Sequence, residues 1–518
     1  MPGGDIAEFA DDEEREICTF LKDPATYGEG PVDVVETHIA RVFLAGEHAY
    51  KIKKRVHLRF VDFSTLKARH DASVREMEIN RPHAPHMYLG LVPIVRGPEG
   101  RLQLGGEGEA IEWAVHMRSF PQEAVLSHRE EEGPLADELA KSLADMVARY
   151  HQDSPVAGAC DGASILAPVV EQLASALVYG HAEVAARLTA AFERAKPLLG
   201  SRGQAGCVRR CHGDLHLGNI VLINGVPVPF DALEFSEALG TIDVLYDLAF
   251  LLMDLDARGD RHAANVVLNA YANVEPVGGE IEGLACLPLF LACRAGVRAV
   301  VAMARTEQLA ADEQIELRAE IRRNAALAGC YLLPPPPLLI AVGGLSGTGK
   351  STISASLAAS FGPAPGALHV RSDVERKRLF GVPETQRLDR QHYRMGIAER
   401  VYAMIEDRAR RALSAGHATI VDAVFAKREE REAVAAIARE AGYRFIGLWL
   451  SAPPETLIER VEQRRGDASD ANRRVVKEQL GYDLGEITWL TVDTSGTPEQ
   501  TLAAARSALA GAGVMPAE

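Results

Sequence analysis

The chain has little cysteine: seven residues in 518, scattered along its length. That excludes a disulfide framework and fits reduced thiols. Cys207 and Cys211 stand four apart beside His212, but no second pair of ligands follows at zinc spacing, so they read as small buried hydrophobes. No uninterrupted apolar run of membrane length is evident. The N-terminal stretch, with Asp5, Glu8, Asp11, Asp12, Glu13 and Glu14, is the reverse of a signal peptide. A cytoplasmic protein with no membrane partner is therefore expected. Basic excess is missing as well. The formal net charge is −16, which argues against duplex nucleic acid as the main partner, because proteins that bind it present a basic face. What remains is a globular composition, 47% hydrophobic and 25% charged, on a length that suggests about two to four domains.

The clearest punctuation is Pro334-Pro335-Pro336-Pro337, which can be neither helix nor central strand. It reads as a linker at 334–337 between domains at 1–333 and 338–518. Downstream, strand-like runs at 367–370, 418–421 and 445–450 alternate with helical patterns such as 394–415, which implies βαβ units and a parallel sheet. Upstream, strands at 37–44 and 49–52 flank a hairpin turn at Gly46. A helix over about 64–80 and strands at 88–95 and 112–117 follow. After Pro121 the chain reads as mostly helical, closing with helices at 284–304 and 313–327.

Gly344-Leu345-Ser346-Gly347-Thr348-Gly349-Lys350-Ser351 is a complete phosphate-binding loop after the β-branched strand run at 338–342. A triphosphate can be held by neutral backbone only where many N–H groups converge without side chains in the way, hence the glycines. Lys350 supplies charge at the β/γ-phosphates, Ser351 a hydroxyl for Mg²⁺, and Thr352 opens the helix whose N-terminus faces the phosphates.

A second constellation lies in Cys211-His212-Gly213-Asp214-Leu215-His216-Leu217-Gly218-Asn219, followed by a short strand at 226–230 and Asp231. An aspartate beside a substrate hydroxyl can accept its proton, an asparagine five residues on can reach Mg²⁺, and an aspartate on the next loop can bridge metal and phosphates. These roles fall to Asp214, Asn219 and Asp231.

On these motifs the segment from about 36 to 327 resembles the aminoglycoside phosphotransferase family, a branch of the protein-kinase-like fold. The resemblance implies an α+β bilobal domain, with a small lobe to about 118 and a large lobe from about 119, ATP as donor and a small-molecule hydroxyl as acceptor. It also implies that Lys51 holds the α/β-phosphates and Glu76 is its ion-pair partner, with 114–118 as the interlobe linker that pairs with adenine. Lys53 shares the strand face with Lys51, since side chains repeat every second residue, so either lysine fits the role. No G-x-G-x-x-G precedes Lys51, and Asp231 is followed by Ala232 and Leu233 rather than Phe-Gly, which favours the small-molecule branch.

In the α/β P-loop NTPase domain, Asp373 follows a strand, where a carboxylate can orient or deprotonate an acceptor hydroxyl, and Arg376 can hold an anionic part of it. The weaker competing reading makes Asp373 a plain N-terminal aspartate of a capped, basic helix start. Asp422 ends a strand, where it can hold the Mg²⁺ water shell. Arg460 and Arg464 are expected on one helical face, with Gly466 permitting a mobile flap. These motifs resemble polynucleotide kinases and related small P-loop kinases with an AAA-type ATP-binding domain. The combined expectation is a bifunctional kinase using ATP and Mg²⁺. The alternative is a P-loop enzyme regulated by a catalytically silent kinase-like module.

Overall fold

The computed structural model describes residues 9–28, 30–58, 61–129, 133–306, 313–464 and 467–515. The chain forms two compact units. The first comprises Met1–Pro134, Arg149–Ala157 and Val208–Asp247; the second comprises Leu135–Ala148, Gly158–Cys207 and Leu248–Glu518. The second unit thus includes helices from both sides of the four prolines.

The first unit is built on a six-stranded antiparallel sheet in the order Val32–Glu36, Ala40–Ala45, His48–Lys53, Ala110–Arg118, Tyr88–Arg96, Leu102–Leu104. Gly46, at φ +58°, makes the tight turn that pairs Ala45 with His48. Alternation along His48–Lys53 sets the sheet's two faces. Tyr50 and Ile52 pack with Ile17, Cys18 and Leu21 of helix Asp12–Lys22, while Lys51 and Lys53 point to the helix Leu66–Asn80, capped by Thr65. A slip of one residue would send both lysines into the apolar face, so burial fixes the register. Besides the pair His57–Leu58 with Val61–Asp62, the unit has two short antiparallel pairs close to the candidate site: Ile220–Ile223 with Val226–Pro229, and Val208–Arg210 with Thr241–Asp243. They frame the segments 211–219 and 230–235.

The expected linker at 114–118 is corrected here. Residues 114–117 are paired on both sides, with His48–Lys53 and with Tyr88–Arg96, and the Arg118 N–H donates to the Met87 carbonyl. Backbone committed to two neighbouring strands has nothing left to offer an adenine.

The second unit contains a five-stranded, wholly parallel sheet in the order Leu368–Arg371, Thr419–Asp422, Leu338–Gly343, Arg444–Ser451, Leu490–Asp493. Both faces are covered, as parallel sheets require. Leu339 and Ala341 point into one core with Leu413, Val434 and Trp449; Ile340 and Val342 point into another with Leu357, Leu448 and Leu509.

Two helical stretches of this unit, Gly162–Gln204 and Glu280–Thr306, are long and apolar enough to cross a membrane, though neither is an uninterrupted apolar run, with Glu171 in the first and Arg294 and Arg298 in the second. The first is broken at Tyr179–His181, where Gly180 has φ +103°. The second is 67% buried over its apolar window, as a core helix is.

Gly447 in the parallel sheet has no room for a side chain, since an added Cβ would overlap the Trp489 indole. Gly447→Ala is expected to destabilise the protein by about 1–3 kcal/mol, the usual range for overpacking, read as a lower denaturant midpoint.

Candidate active sites

In the first unit, a buried glutamate organises the charge. Glu76 has no exposed side-chain surface, and both lysines reach it: Lys51 Nζ lies 2.8 Å from Oε1 and Lys53 Nζ 2.6 Å from Oε2. Burial opposes ionisation of Glu76, but the two lysines outweigh it and hold the pKa down at about 2. The lysines differ in their second partners. Lys53 is enclosed and pairs with Glu234, whereas Lys51 pairs with Asp231, whose side chain is 38% exposed. Both lysines are buried, and they differ in that Lys51 leads through Asp231 toward solvent while Lys53 ends at the buried Glu234. Burial lowers the pKa of Lys51, yet Asp231 and Glu76 raise it well above the ordinary value.

Asp231 sits at φ +59°, a left-handed conformation that aspartate tolerates better than most residues. Its N–H donates to the Tyr88 hydroxyl at 3.0 Å, and the next N–H, of Ala232, donates to Asn80 Oδ1 at 2.9 Å. In the 211–219 loop, Asn219 Nδ2 donates to Asp214 O at 2.9 Å and to Asp214 Oδ2 at 3.0 Å, and His216 Nε2 stands 3.5 Å from the same carboxylate oxygen. The loop is pinned from behind by Asp247, which is fully buried. Its Oδ1 accepts from the Gly213 N–H at 2.8 Å and its Oδ2 from the His212 N–H at 3.2 Å. Burial lowers the pKa of His212. Its Nδ1 accepts from the Asp214 N–H at 3.3 Å, and its Nε2 lies 3.0 Å from the Phe230 carbonyl. One neutral tautomer, protonated at Nε2, satisfies both bonds and ties the two loops together.

Asp214, with 44% of its side chain exposed, joins Asn219 and Asp231 as the candidate oxygen ligands. Hard oxygen donors that remain open to solvent suit Mg²⁺. The sequence did not point to Asp247, Tyr88, Asn80 or Glu234. Asp247 carried one signal: a carboxylate in the apolar run 244–253, which can be buried only with partners. His151, Cys211 and Asp247 bring their ligand-type atoms within 4.8 Å of one another, but both Asp247 oxygens are occupied by backbone amides.

In the second unit, Gly344, Gly347 and Gly349 have φ of +141°, +90° and +85°. A Cβ on Gly344 would meet the Leu450 carbonyl and one on Gly347 the Leu457 carbonyl, each at 2.5 Å. The cradle is therefore closed to any other residue at those two positions. Leu345 O accepts from Lys350 Nζ at 3.0 Å and from Thr348 Oγ1 at 2.8 Å. The Ser346 N–H donates to Gln479 Oε1 at 2.7 Å. Helix Lys350–Ala358 starts at the loop and carries Ser351 and Thr352 in its first turn. Ser351 Oγ lies 3.3 Å from Asp422 Oδ1. Such a bare backbone cradle, with a lysine and a hydroxyl–carboxylate pair at its rim, fits a magnesium-bound polyphosphate.

The two carboxylates of this site are driven apart. Burial raises the pKa of Asp373, only partly offset by Ser469 and Arg371. Burial also acts on Asp422, but His369, Arg371 and Lys350 overcome it and hold the group below the ordinary value. Lys350 is itself lowered, by burial, against the pull of Asp422 and Asp373. Arg376 Nη1 donates to the His392 carbonyl at 3.0 Å, and its guanidinium lies 4.5 Å from the centre of the Tyr393 ring. Asp467 gathers two arginines: Arg371 Nη2 at 2.8 Å and Arg464 Nε at 3.4 Å.

The shared helical face of Arg460 and Arg464 is corrected. Helix Pro454–Gln463 ends before Arg464, whose backbone is extended, so helical spacing no longer relates the two. Arg460 Nη2 instead donates to the carbonyls of Thr494 at 2.7 Å and Gly496 at 3.0 Å. The glycine expected to permit a flap, Gly466, lies outside the described residues.

Each constellation has the residue types that kinase-type phosphotransferases use to hold phosphates and Mg²⁺. Comparison with known proteins agrees. Residues 47–284 match a phosphotransferase enzyme family and residues 339–482 match a family described as an AAA domain. The chain carries an aminoglycoside phosphotransferase-type domain and a P-loop kinase-like domain, and is an ATP-dependent phosphotransferase. Uncharacterized proteins of Mycobacterium tuberculosis and Mycobacterium bovis are each 29% identical over 491 residues, spanning 91% of this chain and 94% of theirs. Among solved structures, a gluconokinase from Sinorhizobium meliloti is 24% identical over 34% of this chain and 93% of its own, with a TM-score of 0.26. A choline/ethanolamine kinase family protein from Mesorhizobium loti is 15% identical over 61% of this chain and 98% of its own, with a TM-score of 0.35.

The depressed pKa of Glu76 sets a pH dependence. A folded-state value of about 2 against an ordinary 4.5 means that the ionised form stabilises fully above the ordinary value and that this contribution is lost as pH falls from there toward 2. Glu76→Gln is expected to lower stability at neutral pH and to flatten the acid limb across that window, measured as denaturant midpoint against pH.

Proposed function

We propose that the chain is a bifunctional kinase, its domains at 1–333 and 338–518 joined at 334–337. In this reading each domain transfers the γ-phosphoryl group of ATP to a hydroxyl of a sugar, polyol, nucleoside or similar metabolite. In the first site Lys51, braced by Glu76, holds the α/β-phosphates. Lys51 is preferred to Lys53 because only Lys51 pairs with the half-exposed Asp231. Asp214 receives the acceptor's proton, while Asn219 and Asp231 hold Mg²⁺. In the second site residues 344–352 cradle the phosphates, Lys350 and Arg464 meet the transferring charge, Ser351 and Asp422 hold Mg²⁺, and Asp373 with Arg376 binds the acceptor. Bound Mg²⁺ would neutralise phosphate charge and fix the leaving group in line.

The observation that carries the reading is the division of labour between carboxylates in the P-loop site. Asp422, held ionised next to Ser351, suits a cation; Asp373, with its pKa raised by burial, suits proton transfer. Carboxylates whose environments separate their pKa values mark acid–base and electrostatic roles. In the first site Asp214 and Asp231 meet different partners, one bonded to Asn219 and the other to Lys51. Seven free cysteines, five of them buried, fit residence in the cytoplasm.

Asp214→Ala and Lys350→Ala, made separately in the full chain and assayed with labelled ATP over a metabolite panel, are each expected to lower one transfer by about a hundredfold or more and to leave the other. If neither substitution changes any transfer, the proposal fails. If only Lys350→Ala does, the first domain is a silent kinase-like module.

A further inference from the structure

We infer that helix Arg261–Val274, which lies inside the phosphotransferase-family match, is a positioning element of the P-loop site. Its Asn269 fixes the edge strand Leu368–Arg371, and His369 on that strand aims Asp422 at Ser351. The inference rests on the reading of Asp422 given above.

The edge strand poses the physical problem. Leu368–Arg371 pairs on one side with Thr419–Asp422 and stands at the end of the sheet, so its other side presents unpaired N–H and C=O groups. Carboxamides of the helix take the place of a further strand. Asn269 Oδ1 accepts from the His369 N–H at 2.6 Å, and Asn269 Nδ2 donates to the Ala367 carbonyl at 3.2 Å. The two bonds reach residues two apart, which is how a neighbouring strand would pair. Asn265 Nδ2 adds a second bond to the Ala367 carbonyl at 3.1 Å. Asn269 is itself held, because its Nδ2 also bonds Asn265 O and Oδ1, each at 3.0 Å. This is more than a surface touch. Ala272 of the same helix is buried in the sheet's core with Leu339, Leu368 and Val370, and just beyond the helix Glu275 pairs with Arg408.

The consequence reaches the phosphate loop through one side chain. His369 is buried, and its Nε2 lies 2.7 Å from Asp422 Oδ2. Facing an ionised carboxylate, which can only accept, that nitrogen carries the proton. With Oδ2 occupied in this way, Oδ1 is left toward Ser351 Oγ, 3.3 Å away. Arg371, two residues on and so on the same strand face, pairs with Asp467. One edge strand thus carries both a brace for the cation-facing carboxylate and an anchor for Asp467, and its free edge is held by an asparagine about a hundred residues earlier in the chain. A partner that orients a metal-facing carboxylate in this way tunes cation binding without touching the nucleotide.

The test uses the full chain and a fluorescent ATP analogue, titrated with and without Mg²⁺. Lys350→Ala defines the fraction of binding that belongs to the P-loop site. Within that fraction, His369→Ala and Asn269→Ala are expected to weaken Mg²⁺-dependent binding by about tenfold while Mg²⁺-free binding changes little. His369→Gln, whose amide can still donate to Asp422, is expected to restore most of the loss. Equal Mg²⁺ dependence in wild type and both alanine variants would overturn the inference while leaving the kinase reading intact. So would a loss of the same size with and without the cation, which is what a purely structural role predicts. If Lys350→Ala removes no binding, the reading of the P-loop site fails and the inference with it. Should Asn269→Ala not fold, the His369 pair decides.

Discussion

The first site depends on one buried carboxylate. Removing Glu76 from water costs several kcal/mol unless opposite charge meets it, and two lysines from a single strand do so. That requirement fixes three things together. The strand must keep the register that turns Lys51 and Lys53 toward helix Leu66–Asn80. The helix must present Glu76 at that height. The surplus positive charge must then find anions, which it does in Asp231 and Glu234, so the 230–235 loop is drawn to the sheet. Because the two lysines end at differently exposed partners, the same ladder of charge has one end enclosed at Glu234 and the other at the partly exposed Asp231.

The P-loop site meets phosphate charge by another route. Its loop is a backbone cradle, and room for it is secured by glycines whose Cβ positions are filled by the carbonyls of Leu450 and Leu457. Burial is then free to act on the acids around the loop with opposite outcomes. Asp373 has too few partners to offset desolvation and is pushed up. Asp422, supported by His369, Arg371 and Lys350, is held down. Two residues of one chemical type acquire two capacities from their surroundings alone.

Much of this was legible in the residue order. The phosphate loop, the 211–219 loop and the Gly46 hairpin are local, each specified by neighbours within a few positions, and they appear where the pattern places them. The strands at 338–343, 419–422 and 444–451 were visible as β-branched and apolar runs. Less legible were Val32–Glu36 and Leu102–Leu104, short outer strands whose half-exposed residues leave a weak pattern. Periodicity misled at Arg460 and Arg464, because it was extended one residue past the helix end. The linker at 114–118 comes from the family resemblance alone; the residue pattern itself places a strand at 112–117, and the structure pairs that strand on both sides.

The sequence by itself determined which chemistry is available: a glycine-lined loop with Lys350 and Ser351, an aspartate and asparagine at fixed spacing, and two lysines on one strand face. These follow from covalent spacing and from the geometry of strands and turns. Only the tertiary structure decided which lysine pairs with the partly exposed Asp231, which aspartate is held ionised, that Asp247 pins the 211–219 loop, and that Asn269 completes the edge of a sheet about a hundred residues further along. Charge state and burial are set by neighbours, and here the deciding neighbours come from distant parts of the chain.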